Sequence, residues 1–202
     1  MRVAAVVLLA VLAAACGGGN KKTATAQQSC PVTGKDVTFP LLDPAKTYTA
    51  TAQTTLGRFA FTLDVKDSPC TTGSFAHLAR GGFYNGLTFH RIVPGFVIQG
   101  GDPNGDGTGG PGYTVVDTPP ADARYTRGVV AMAKTGTEPP GTSGSQFFVV
   151  TGADAGLQPD YALLGRVTSG LDVVERIGRV PTNSQTEAPL RRVVIRRITI
   201  NP

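Results

Sequence analysis

The chain contains no tryptophan, and its 202 residues include only three cysteines and two histidines, His77 and His90. The His and Cys residues form no cluster with the spacing of metal ligands, so we predict no metal site. The formal charge is a modest +5, and part of it lies in arginine pairs at 191–192 and 196–197, beside apolar residues of a predicted last strand. Because a nucleic-acid surface needs a contiguous basic patch, usually with stacking aromatic residues, no nucleic-acid partner is predicted.

The N-terminus is typical of an export signal. Arg2 supplies a positive charge, and Val3 to Ala15 is an unbroken apolar stretch that is too short for a comfortable membrane span. We therefore assign residues 1–15 to a signal peptide. Small residues directly before Cys16 resemble a bacterial lipobox, which predicts that Cys16 becomes the lipidated first residue of the mature protein. The alternative is ordinary secretion, with cleavage after the alanine run and no role for Cys16.

The composition changes after the signal. Gly17 to Ser29 has no large apolar residue, so we expect residues 16–29 to form a flexible tether. Residues 30–202 are long enough for one domain with its own core. In an exported chain the remaining pair, Cys30 and Cys70, is expected to form a disulfide. The alternative is two free, buried thiols.

Short strands separated by Gly/Pro turns dominate this domain. Large apolar residues recur at every second position from Arg58 to Val65, as in a half-buried strand. Helices are predicted at 72–80, with hydroxyl caps from Ser68–Thr72, and at 171–177. Further strands are predicted near 128–133, 147–151, 163–167 and 193–200. This pattern favours a mainly β, closed antiparallel barrel, although the pattern alone does not separate a barrel from a sandwich.

The run from Phe89 to Asp102 carries the most chemistry. It places Arg91, Phe96 and Gln99 around a Pro94-Gly95 pair, which is typical of a turn. Arg91 and Phe96 can converge only across that turn, and they would then gather a cation, an aromatic wall and an amide on one surface. Such a set could hold a neutral, apolar, carbonyl-bearing group, and it contains no nucleophile and no general base.

This run also resembles the signature of the cyclophilins, the prolyl cis/trans isomerases. A second block, Gly128–Ala133 leading to Ser143–Phe148, is similar to that family's other signature, and Leu157–Arg166 is a looser match. The resemblance extends from Tyr48 to Ile200. It implies an eight-stranded antiparallel β-barrel capped by a helix at each end, and an isomerase that needs no cofactor.

The resemblance also implies roles for single residues. It makes Arg91, Phe96 and Gln99 the catalytic residues. The substrate-binding residues that it implies are Met132, Ala133, Lys134, Gln146, Phe148, Leu157 and Tyr161. Within this set, Phe96, Met132, Phe148 and Leu157 match the proline pocket, and Ala133, Lys134 and Gln146 match the groove for the residues before proline. Strand alternation puts Phe147 and Phe148 on opposite faces, so we expect one of them in the core.

The chain departs from the family pattern in three places. Tyr161 stands where many members have His. Gly156 lies at about the position of a pocket-edge Trp that mainly serves cyclosporin binding. The stretch from Lys134 to Gly144 is slightly longer than in compact members, which could reshape the groove before proline.

These expectations combine into one hypothesis: an exported, membrane-tethered peptidyl-prolyl isomerase that assists the folding of exported proteins. Its partners would be proline-containing unfolded or extended segments, its only membrane contact the lipid anchor, and its state monomeric. One alternative is a module that binds such segments without turnover; the presence of both Arg91 and Gln99 argues against it. The other is a small-ligand carrier, which fits poorly because large inward residues should fill the barrel.

Overall fold

The structure is a computed structural model that describes residues 30–202. The predicted signal peptide (1–15), the lipidated Cys16 and the tether (16–29) lie outside the described residues, and they stay predictions. Within residues 30–202, no helix has the length and apolar character needed to cross a bilayer.

Residues 30–202 form strands and two helices. In chain order the strands are β1 (Thr33–Gly34), β2 (Thr49–Thr54), β3 (Gly57–Leu63), β4 (Thr88–Val93), β5 (Val97–Asp102), β6 (Tyr113–Val116), β7 (Val129–Met132), β8 (Thr142–Ser143), β9 (Phe147–Val150), β10 (Leu163–Ser169) and β11 (Ile195–Asn201). The helices are α1 (Pro69–Arg80) and α2 (Leu171–Gly178).

Eight of the strands form one antiparallel sheet in the order β11-β2-β3-β10-β7-β9-β5-β4. The sheet curls until its two edges meet: Phe89 donates its N–H to the Val193 carbonyl (3.0 Å), and Ile195 donates to the Leu87 carbonyl (2.7 Å). The mainly β fold, the eight antiparallel strands and the two helices are therefore confirmed. Closure of the barrel is limited to this short contact between the edges.

A separate three-stranded sheet, β1-β6-β8, was not expected from the sequence. It is attached to α1 by two hydroxyl contacts, Ser74 to Tyr113 and Thr71 to Ser143, each 3.0 Å long. Its strands are two to four residues long, and no clear period-2 pattern marks them in the sequence, which is why they were not predicted.

Large side chains fill the interior of the curled sheet. Alternation turns Phe59 and Phe61 of β3 inward, and both are fully buried. Phe75 of α1 packs with its ring centroid 5.0 Å from that of Tyr84 and 5.9 Å from that of Phe147. The interior is thus a solid aromatic core, which argues against a ligand carrier because a carrier needs an open interior.

The start of α1 differs from the expectation. The helix begins at Pro69 rather than near residue 72, and Ser68 lies at the N-cap without a side-chain cap bond. Pro69 is suited to the first helical position because its missing N–H would have no partner there. The Thr71 N–H is satisfied by the Asp117 carboxylate at 2.6 Å instead. A distant acceptor therefore replaces the local hydroxyl cap.

The structure joins Cys30 to Cys70 in a disulfide with a sequence separation of 40. The bond connects the start of the described chain to the first turn of α1. In the chain-entropy model, closing a loop of this length stabilises the fold by about 3–4 kcal/mol.

Replacing both cysteines by alanine should lower the free energy of unfolding by about 3–4 kcal/mol, because the unfolded chain regains the freedom of the open loop. Urea unfolding under oxidising conditions measures this difference. Adding a reductant should destabilise the parent chain and leave the double variant unchanged. Equal midpoints for the oxidised parent and the variant would contradict the stabilising role of the bond.

Candidate active site

The hairpin of β4 and β5 brings the first site residues together. Arg91 pairs with Gln99 across the hairpin, and Gly95 takes a φ of 72° in the turn between the strands. Gln99 pairs in turn with Phe148 of β9, and Phe148 pairs with Ala131 of β7. The register of four strands therefore sets Arg91, Gln99, Phe148 and Ala131 in one row on the outer face of the sheet.

A small cavity of about 150 Å³ opens along this row. Its apolar walls are Phe96, Val97, Phe148 and Leu157. Arg91, Gln99, Ala133, Lys134 and Tyr161 complete its lining. Pockets for drug-sized ligands run from about 300 to 1,000 Å³, so this one suits a single small apolar side chain with a polar group at its edge.

A second apolar cluster lies outside the barrel and packs against the residues that line the pocket. Its fully buried residue Tyr125 donates its hydroxyl to the Tyr161 carbonyl (2.6 Å) and accepts the Tyr161 N–H (3.0 Å). Burial raises the pKa of Tyr125, so its hydroxyl keeps the proton that it donates. The Tyr161 ring then meets Phe148 edge-on, with 5.5 Å between ring centroids.

Met132 does not lie where the sequence analysis placed it. It is 1% exposed and belongs to the core inside the barrel, together with Val130. Because successive side chains of a strand alternate, β7 turns Ala131 toward the pocket side and Met132 inward. The pocket wall is completed by Val97 instead. Val97 could have been found from the sequence, because it shares a strand face with Gln99.

The two adjacent phenylalanines of β9 divide as alternation predicts. Phe147 is fully buried in the interior core, and Phe148 lines the pocket. The preference for Phe148 came from the family resemblance, since alternation by itself does not say which of the two faces outward.

A chain of hydrogen bonds runs through the polar side of the site. Arg91 Nη1 donates to Gln99 Oε1 (3.3 Å), and Gln99 Nε2 donates to Gln146 Oε1 (3.0 Å). Gln146 Nε2 then donates to the carbonyls of Gly107 and Gly109 (3.0 and 2.9 Å). Each amide is thereby held in one orientation, and the Gly-rich loop after β5 is tied to the pocket.

Glu187 is a neighbour of Arg91 that the sequence analysis missed. Its Oε2 accepts from Arg91 Nε at 2.5 Å. The two residues are 96 positions apart, and Glu187 lies in a polar loop between α2 and β11. No local pattern in the sequence points from that loop to Arg91.

A larger groove of about 640 Å³ adjoins the pocket on the side of Gln146. Lys134 stands between the two spaces, and its side chain is only 3% exposed. Its ammonium pairs with Asp160 at 2.6 Å and lies 5.6 Å from the centroid of the Tyr161 ring. Lys134 thus forms part of the wall between pocket and groove, and Asp160 compensates its charge. Ala133, the preceding residue, also lines both the pocket and the groove.

His90 occupies a bulge next to Arg91, where the register with β5 shifts. Among the described residues, neither of its buried ring nitrogens has a hydrogen-bond partner. Burial lowers its pKa, and the positive charge of Arg91 adds to this, against the opposing effect of Asp102. A neutral, buried ring without partners fits a structural role for His90.

Fold and site together define a class: a filled antiparallel barrel with a small apolar pocket on its outer face, edged by a guanidinium and an amide. The sequence profile of the cyclophilin type peptidyl-prolyl cis-trans isomerases matches residues 49–200. The chain therefore belongs to this family, whose enzymes rotate the peptide bond before proline.

Individual relatives agree with this assignment. Peptidyl-prolyl cis-trans isomerase-like 1 of Homo sapiens is 44% identical over 137 residues, which are 66% of this chain and 81% of that protein. Peptidyl-prolyl cis-trans isomerase B of Streptomyces anulatus is 37% identical over 169 residues, or 75% and 95% of the two chains. A crystal structure of a Cryptosporidium parvum cyclophilin type isomerase superposes with a TM-score of 0.70 at 28% identity, covering 78% of this chain and 99% of the other.

Phe96→Ala should lower kcat/KM for an X–Pro peptide by about tenfold or more, because truncation removes the wall against which the proline ring would pack. Phe96 is only half-buried, so the variant should stay folded. Leu190→Ala, which shortens a 72% exposed apolar side chain on a loop, is the matched control. An unchanged kcat/KM in folded Phe96→Ala would exclude Phe96 from the binding site.

Proposed function

We propose that this chain isomerises X–Pro bonds of exported proteins at the outer face of a bacterial membrane, to which a lipid on Cys16 tethers it. The observation that supports the site is the pocket in which a guanidinium and an apolar ring-sized space share one edge. Support for export comes from the predicted signal peptide and from the Cys30–Cys70 disulfide, since disulfides persist in oxidising compartments.

The reaction needs no covalent intermediate. Rotation about a peptide bond is opposed by a barrier of about 18–20 kcal/mol, because nitrogen shares its lone pair with the carbonyl. Twisting the bond localises that lone pair on the proline nitrogen. In this proposal Arg91 donates a hydrogen bond to the nitrogen as it pyramidalises, an interaction that the planar ground state cannot form. Such differential binding lowers the barrier to rotation.

The other site residues would bind the groups on the two sides of the rotating bond separately. Phe96, Phe148 and Leu157 would grip the proline ring, and Gln99 would orient Arg91 through the bond described above. Ala133, Lys134 and Gln146 border the larger groove, where the residues before proline would lie. Tyr161, which is fixed by Tyr125, would form the edge near the substrate carbonyl.

No single contact supplies the whole rate enhancement. Uncatalysed X–Pro bonds isomerise over tens to hundreds of seconds. Turnover of about 10³ per second would therefore require the enzyme to lower the activation free energy by about 7 kcal/mol. One charge-assisted hydrogen bond contributes about 1.5–3 kcal/mol. The remainder would come from fixing the ring and the carbonyl side separately and from displacing water that stabilises the polar, planar ground state.

Arg91→Ala should lower kcat/KM by about tenfold or more, because it removes the charge-assisted bond to the proline nitrogen. Arg91→Lys should recover little of the loss, since an ammonium lacks the planar fork of donors. Arg127→Ala, which breaks a surface ion pair with Glu175, is the control for loss of one arginine.

Turnover of a short X–Pro peptide measures these variants, with circular dichroism to check folding. A folded Arg91→Ala enzyme with parental kcat/KM would contradict the role of Arg91. A folded parent chain that binds X–Pro peptides without turnover would instead support the binding-module alternative.

Cys16→Ser should move the protein from the membrane fraction to the soluble extracytoplasmic fraction of a bacterial host, because the thiol that carries the lipid is gone. The Cys30→Ala/Cys70→Ala double variant should stay in the membrane fraction, which controls for the loss of cysteine in general. A Cys16→Ser protein that still sediments with membranes would exclude the lipid anchor.

A further inference from the structure

Glu187 has an unusual backbone conformation. Among residues 30–202 it is the only non-glycine residue with a positive φ, at 58°. This left-handed region is unfavourable for residues other than glycine, asparagine and aspartate, and strain of this kind concentrates at functional sites. The cost of this positive φ must therefore be offset by an interaction of Glu187 that requires it.

The loop around Glu187 is pinned directly to the strand that carries Arg91. The Glu187 carbonyl accepts the N–H of Ile92 in β4 at 2.9 Å. On the other side, the Glu187 N–H donates to the Asn183 carbonyl at 2.8 Å, and Asn183 donates to the Ala188 carbonyl at 2.9 Å. The Glu187 backbone is thus held beside Ile92, the residue that follows Arg91.

The carboxylate makes the shorter of two contacts that orient the guanidinium. Arg91 Nε lies 2.5 Å from Glu187 Oε2, whereas Arg91 Nη1 lies 3.3 Å from Gln99 Oε1. Two contacts at different nitrogens define the plane of a guanidinium, while one contact leaves it free to swing. Within residues 30–202, Arg91 Nη2 makes no hydrogen bond, so it stays available at the pocket edge.

Folding stability does not account for this arrangement. The side chains of Arg91 and Glu187 are 35% and 42% exposed, and ion pairs with this much water contact contribute little to stability. A strained backbone position that supports a weakly stabilising ion pair is explained better by what the pair does to the pocket.

We propose that Glu187 is a positioning residue for catalysis. Its carboxylate holds the Nε side of Arg91, which fixes the plane of the guanidinium and presents the free N–H groups to the proline nitrogen. The proposal rests on the role of Arg91 given under Proposed function.

Two variants of the full chain test it. Glu187→Gly removes the carboxylate and suits the positive φ, and it should lower kcat by about tenfold through the lost orientation. Glu187→Gln keeps an acceptor oxygen but loses the negative charge, so the bond from the guanidinium is weaker and the loss of kcat should be smaller, about threefold. The Kd for an X–Pro peptide should stay unchanged in both because the apolar pocket is intact, and the Glu187→Gly unfolding midpoint should be no lower than the parent's.

A double-variant cycle separates this role from a structural one. If Glu187 acts only through Arg91, Glu187→Gly should cause no further loss of kcat when Arg91→Ala is already present. Parental kcat in Glu187→Gly, a raised kcat, or equal losses with and without Arg91 would each overturn the proposal. Parental activity in Arg91→Ala would contradict the proposed role of Arg91 itself. A loss of activity in Arg91→Ala together with parental activity in Glu187→Gly would contradict only the role of Glu187.

Discussion

The alternation of side chains along β5, β7 and β9 is the constraint on which both the core and the site depend. One face of these strands turns Ile98, Val130 and Phe147 into the interior, and the other presents Gln99, Ala131 and Phe148 to the pocket. A one-residue slip in register would exchange the two faces and destroy core and pocket together. The core that stabilises the barrel therefore also fixes the position of the site.

Much of this arrangement could be predicted from the sequence. Alternation and turn residues predict the strands, and the motif around Arg91 indicates the hairpin. The assignment of Met132 to the pocket came from the resemblance, and the structure places this side chain in the interior core, on the strand face opposite Ala131. Glu187 and Tyr125 were missed for another reason: they reach the site from loops that are distant in the sequence. Such contacts leave no periodic trace in the sequence and exist only once the barrel has formed.

The polar side of the site shows a second constraint: the half-buried side-chain amides need hydrogen-bond partners. Gln99 accepts a hydrogen bond from Arg91 and donates one to Gln146, and Gln146 donates in turn to a carbonyl of the Gly-rich loop. That loop is closed in turn by the Asp102 carboxylate, which is 1% exposed and accepts the N–H groups of Asn104 and Asp106. Changing one amide would leave a neighbour unpaired, so the network behaves as a unit.

The division of the site between strands and loops explains where this chain departs from its family. Arg91, Gln99 and Phe148 lie on hydrogen-bonded strands, where a shift of one would displace the others. Tyr161 and part of the stretch 134–144 line the pocket or the adjoining groove, and Gly156 directly precedes the pocket residue Leu157. All of them lie almost wholly in connections between strands. Loops tolerate changes in length and residue type that a paired strand does not. Arg91, which would donate to the proline nitrogen, and Gln99, which orients it, are thus held by paired strands, while the rim residues in loops can vary.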